Sequence, residues 1–399
     1  MANVTKVAAK NLYIFGLAIT LQTYKLMMQE NKPRLFGLDL MRALAIIMVL
    51  FGHSIWIFPE NRGPAFALMA FSGYFGVEMF FVLSGFLIGN ILFRIYISEG
   101  MSKSVMLQFL RRRWLRTLPN YYLVLVLNLI IALIIGYNVT GFWHYLFFIQ
   151  NFSTPMPPFF PESWTLSVEE FAYVLLPLFL LLFNTFVRVQ NRNVQYLATV
   201  LLLIVLSVFS KTYYAFNNNN GTLQQWNAGL RMVTIYRLDA IFIGVLFSWI
   251  SLQYKLLWIK IRFSATGLGI ILGGFLLFGV GKFQLLIETH PFFWNVIYLP
   301  LTSVTAALFL PLLSQWKSAR GLAARAIVFT SAISYAIYLL HYGIVLQLMK
   351  HFLVLRSGTT GQLCGFVIIY LFLTIALSSM LYRYYEKPIM DLRQRQLLK

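Results

Sequence analysis

Apolar residues run along this chain in ten blocks of about twenty, separated by shorter polar or basic stretches. A bilayer core takes about 20 residues of helix to cross. The blocks therefore predict spanning helices at 38–58, 70–93, 118–136, 165–187, 194–214, 236–253, 264–281, 294–314, 327–349 and 362–382. The fold class is all-α, a polytopic integral membrane protein. A shorter apolar patch, NLYIFGLAITLQTY at 11–24, holds Thr20, Gln22 and Thr23 and reads as an interfacial segment. STPMPPFFPES at 153–163 is turn-rich, and NNNNG at 217–221 is a polar tip. The expected organisation is a cytoplasmic or interfacial segment over 1–34, a transmembrane domain over 35–388 and a basic cytoplasmic tail over 389–399. The two halves lack the paired broken-helix pattern that marks many secondary transporters.

Composition agrees: 59% of the 399 residues are hydrophobic and 11% charged, which leaves no room for a sizeable soluble domain. The net charge of +20 suggests nucleic acid only until the bases are located. With the N-terminus cytoplasmic, 24 of the 32 Lys and Arg fall on the cytoplasmic side. The positive-inside rule thus explains the charge, places both termini in the cytoplasm and removes the case for nucleic acid. One cysteine, Cys364, excludes an intramolecular disulfide and any multi-cysteine metal site, and no metal is expected.

Ionisable residues inside these blocks are the candidate chemistry, because charge in lipid is costly and faces a bundle interior or a cavity. The first block, LDLMRALAIIMVLFGHSIWIF, carries Asp39, Arg42 and His53. Arg42 and His53 are eleven positions apart, so they share a helix face ~16 Å apart along the axis. They read as two ends of one elongated site. The structural alternative has Arg42 reaching the headgroups and His53 bonding a neighbouring helix.

RRRWLR at 111–116 places Arg113 and Arg116 on one face ahead of Pro119. They form a fork for phosphate, or a lipid-headgroup contact. Together with Arg42 they suit a polyphosphate ligand arriving from the cytoplasm. In FGVEMFFVLSGFLIG, Glu78 is left open, while Ser84 and Gly85 read as helix packing. SWTLSVEEFAY gathers Trp164, Ser167, Glu169, Glu170 and Tyr173 into an external patch suited to stacking and bonding a sugar, or into a helix cap with acidic first turns. Arg237 and Asp239 are a second polar group near that surface, or an ion pair. In ISYAIYLLH, Ser334, Tyr335, Tyr338 and His341 share a face, and His341 reads as a satisfied interior histidine.

Seven stretches then occur in a telling order: LDLMRALAIIMVLFGHS, FGVEMFFVLSGFLIG, RRRWLRTLPNYY, SWTLSVEEFAY, YRLDAIFIGVL, ISYAIYLLH and YRYYEKP. In them the chain resembles acyltransferase family 3, the integral-membrane acyltransferases. The family's Arg, ten residues and His fall on Arg42 and His53. Its Arg-x-x-Arg falls on Arg113 and Arg116, and its Ser-x-Glu on Ser167 and Glu169. The resemblance implies transfer of an acyl group, commonly acetyl, from cytoplasmic acyl-coenzyme A to a hydroxyl of an extracytoplasmic carbohydrate or lipid-linked glycan. It also implies the bacterial inner membrane, with membrane lipids as the surroundings.

On that reading acetyl-CoA is a donor substrate, no cofactor is permanently bound, and a chain ending at Lys399 is the membrane-only form. Arg42, Arg113 and Arg116 hold the phosphates. His53 is the general base or an acyl-imidazole nucleophile, Glu169 relays the proton, and Trp164, Ser167, Glu170 and Tyr173 bind or orient the acceptor. The acceptor itself, whether lipopolysaccharide, secreted polysaccharide, peptidoglycan or a small glycoside, is left open. The rivals are a transporter or flippase of an amphiphilic glycoconjugate, and a membrane-bound O-acyltransferase of unrelated fold.

Overall fold

The computed structural model describes residues 34–58, 63–136, 138–186, 191–218, 221–353 and 359–397. The segment at 11–24 and most of the N-terminal region lie outside them. Among the described residues all regular structure is helical, and ten helices are long and apolar enough to cross a membrane. Their main segments are α1 (Phe36–His53), α2 (Pro64–Glu99), α3 (Lys103–Ile135), α4 (Trp164–Phe186), α5 (Arg192–Asn217), α6 (Leu238–Gln253), α7 (Arg262–Gly274), α8 (Leu299–Ala307), α9 (Leu322–Leu340) and α10 (Thr360–Leu381).

Each predicted block coincides with one of the ten spans and overruns it by no more than one residue, while several spans run well past their block. Hydropathy marks only the stretch in hydrocarbon, whereas a helix continues through polar flanks that favour it. The largest difference is α3. RRRWLR does not precede this helix but lies within it, because Ser102 caps the start by accepting from Val105 N at 3.3 Å. Pro119 is therefore inside α3 and does not open it. Arg113 stands ten residues in, ~15 Å along the axis.

The centre of the bundle is α1, α2 and α6, held close by glycines. A Cβ on Gly85 of α2 would lie 1.9 Å from the Ile241 carbonyl of α6, and one on Gly244 2.2 Å from the Val82 carbonyl. Gly52 and Gly73 meet in the same way between α1 and α2, where a Cβ on Gly52 would sit 2.3 Å from the Gly73 Cα. Such approach suits spans packed by van der Waals contact. Leu133, Ile134, Phe209, Phe216, Ile270, Ile271 and Phe372 are exposed on the outer helices α3, α5, α7 and α10, as a lipid-facing perimeter requires. The face where α1 begins is called the near face below, and the face where it ends the far face.

Candidate active site

Polar side chains gather at three levels between the two faces. At the near face, Asp39 and Arg42 lie one turn apart on α1, 3.7 Å from each other. Ser331 of α9 ties them: its Oγ donates to Asp39 Oδ1 at 2.6 Å, and Arg42 Nη1 donates to it at 3.4 Å. The guanidinium remains partly exposed, with 23% of the side chain accessible. Arg34, Arg113 and Arg116 are near enough for their charges to act on it. Arg113 and Arg116, singled out with Arg42 from the sequence, thus lie within electrostatic reach of it, as does Arg34.

At the middle level α3 meets α4. Arg113 Nη2 donates to Glu169 Oε2 at 3.1 Å and to the Tyr173 hydroxyl at 2.8 Å, and the guanidinium lies 4.3 Å over the tyrosine ring. Ser84 of α2 donates to the other Glu169 oxygen at 3.1 Å. Glu170 turns the other way and accepts from Trp114 Nε1 at 3.0 Å and Thr117 Oγ1 at 3.3 Å.

The external patch is thus divided. Trp164 stays near the far face, edge-on to Phe81, whereas Glu169 and Tyr173 follow the helix inward and meet Arg113, itself well along α3. Glu169 and Glu170 are adjacent in sequence but point about 100° apart on a helix, so they serve different neighbours. Ser167 is fully buried, and its hydroxyl has no partner among the described residues. Ser84, read as a packing residue, belongs to this cluster.

At the far end of α1 stands a histidine pair. His53 Nδ1 and His341 Nε2 are 2.8 Å apart, and His341 Nδ1 lies 2.8 Å from the Tyr338 carbonyl. A carbonyl only accepts, so His341 carries its proton on Nδ1 and presents a lone pair at Nε2. His53 must then donate from Nδ1, which leaves its Nε2 with a lone pair. His53 is half-buried while His341 is fully buried. The inner imidazole orients the outer one, and the outer one can be reached.

The geometry of this pair depends on a local break in the helix. After Leu340 the chain leaves α9 for a π-helical turn over His341–Leu346. Glu162, just before α4, holds that turn: its Oε1 accepts from Gly343 N at 2.7 Å, and its carbonyl accepts from the Tyr338 hydroxyl at 3.1 Å. Glycine at 343 leaves room for these side chains: a Cβ there would lie 2.6 Å from both Asn128 Oδ1 and Glu162 Oε1, and would push them aside. Turns of this kind often mark functional sites. His341 is the satisfied interior histidine that its sequence suggests, whereas its pairing with His53 and the part of Glu162 were not foreseen. The spacing in ISYAIYLLH placed His341 on a polar face, but which helix it would meet is a tertiary fact.

Nearby, Arg237 pairs with Glu78, which also accepts from Ser303 Oγ at 2.8 Å, and Asp239 pairs with Lys211. The ion pair considered between Arg237 and Asp239 does not form; each has a partner on another helix. No group of three or more metal-binding side chains occurs among the described residues.

Comparison with known proteins bears on what this arrangement is. An acyltransferase domain family matches residues 35–383. The chain belongs to the acyltransferase 3 family. It is 24% identical over 393 residues to the O-acetyltransferase OatA of Staphylococcus aureus, covering 92% of this chain and 59% of that one. To the peptidoglycan O-acetyltransferase OatA of Listeria monocytogenes it is 30% identical over 170 residues, covering 38% of this chain and 25% of the relative. The chain therefore spans less than two thirds of the length of these acyltransferase 3 relatives. No solved structure matches it.

Proposed function

We propose that this protein is a membrane O-acyltransferase that moves an acyl group, acetyl first among them, from acyl-coenzyme A to a hydroxyl of a carbohydrate on the other side of the membrane. The near face is then cytoplasmic, as the distribution of Lys and Arg favours. The observation that carries the reading is the arrangement along α1. An arginine cluster lies at one end, and a histidine held by a second histidine lies ~16 Å away at the other. Polyphosphate suits the first, and an acyl-transfer base suits the second.

In this mechanism Arg42, Arg113 and Arg116 hold the donor's phosphates while its pantetheine arm extends towards His53. The acceptor hydroxyl gives its proton to His53 Nε2 as its oxygen attacks the thioester carbonyl. The tetrahedral intermediate collapses, the C–S bond breaks, and the departing thiolate takes the proton back from His53. Ester and free thiol are the products. His341 keeps the ring oriented and accepts from Nδ1–H throughout, so it stabilises the transient imidazolium. Arg113 also links donor and core, because the guanidinium that would meet phosphate holds Glu169 as well.

The test is thiol release from acetyl-coenzyme A by the purified protein in nanodiscs, with labelled acetyl followed into a panel of glycans. Thiol release coupled to ester formation supports the reading. Glycan movement across vesicles without any donor consumption would favour the transporter instead.

A further inference from the structure

Towards the far face the helix ends carry a charge that the mechanism above does not use. Glu78 and Asp239 are each paired, with Arg237 and Lys211. Arg231, in the connection between α5 and α6, is a third cation beside them. Among the described residues no carboxylate comes within 4 Å of it, so the group holds one uncompensated positive charge. A partly buried charge of this kind calls for a counter-ion. Burial pulls the guanidinium below its ordinary pKa, with Tyr74 opposing that shift.

The side chain is held in place. Nη1 donates to Asn227 Oδ1 at 2.7 Å, and the guanidinium sits 5.0 Å from the Tyr74 ring centre and 5.1 Å from that of Trp164. Asn151 fixes the backbone beside it by donating to the Met232 carbonyl at 2.7 Å. With Nη1 engaged, the Nε–Nη2 edge is left, and Nε is buried with no partner among the described residues. That edge offers two parallel N–H donors, the geometry a carboxylate matches bidentately. The charge lies close enough to act on His53, so an anion bound here is beside the reacting centre.

We propose that Arg231 receives a carboxylate carried by the acceptor sugar, and that acidic saccharides are the preferred acceptors. The inference rests on the acyltransferase reading and names the substrate class of the same site. Tyr74 and Trp164 hold the guanidinium by their ring faces and so leave its edge, rather than its plane, for the ligand. A single free edge suits a singly charged planar group better than a phosphate dianion.

The experiment compares a glucuronate-containing oligosaccharide with its carboxyl-reduced, neutral counterpart, using wild type, Arg231→Gln and Arg231→Lys. In wild type the ratio of kcat/KM values favours the acidic acceptor by about tenfold or more, the size of one charge-assisted contact. Arg231→Gln brings the ratio to near one, and Arg231→Lys keeps part of it. A ratio near one in wild type, or a preference that survives Arg231→Gln, overturns the proposal. Equilibrium binding of the two oligosaccharides separates the two readings. Selective acidic binding that Arg231→Gln abolishes supports the carboxylate site even where no thioester is consumed. Equal binding of both by wild type overturns it, whatever the turnover.

Discussion

Arg237 pairs with Glu78, and Arg113 with Glu169, and both pairs join two spanning helices. The first is sealed, with both side chains 0% exposed and Ser303 on the second carboxylate oxygen. The second keeps 20% and 16% of its side chains accessible and shares them with Tyr173 and Ser84. A sealed pair can only hold helices together, whereas an accessible one can exchange a partner for a ligand. The same two residue types thus do structural work at one level of the bundle and suit ligand chemistry at another. Burial separates the two roles.

The largest expected effect falls on the sealed pair. Glu78→Ala strands Arg237 in the core and should cost about 3–5 kcal/mol, whereas the double replacement Glu78→Leu with Arg237→Met should restore much of the loss. Unfolding midpoints in detergent read both. Next comes the histidine pair, where His341→Leu should lower kcat by about 10²–10⁴ with donor binding retained. His341→Gln, which keeps an acceptor for His53 Nδ1, should recover part of the rate. A fall in KM affinity alone, with kcat unchanged, would mean that His341 does not act through His53.

A smaller change is expected at the accessible pair. Glu169→Gln should cost about 1 kcal/mol or less in stability, as a part-exposed pair does, while acyl transfer falls. If Glu169→Gln unfolds the protein as Glu78→Ala does, the contrast between the pairs disappears. Gly85→Ala, which brings a methyl against the Ile241 carbonyl, should cost about 1–3 kcal/mol by overpacking, with no change specific to donor or acceptor.

The ten helices were legible because a bilayer imposes a length and an apolar composition on each span, as in the block from Leu38 to Phe58. The common face of Arg42 and His53 was legible because an eleven-residue spacing on a helix leaves little freedom. What lay beyond the sequence were contacts between helices. The start of α3 depended on a cap at Ser102, not on apolar periodicity, and moving that start carried Arg113 inward to Glu169. The bond from His53 to His341 spans 288 positions and depends on a π-helical turn that no local pattern announces. Glu162 belongs to the site through a backbone N–H, which residue identity does not reveal.

The central claim is that the arginine end holds the donor and the histidine end performs the transfer. It is tested most directly by measuring acetyl-coenzyme A binding and acetyl transfer side by side in His53→Ala and wild type. The expected result is a variant that binds the donor with wild-type affinity and transfers nothing. Transfer at the wild-type rate by His53→Ala would contradict it.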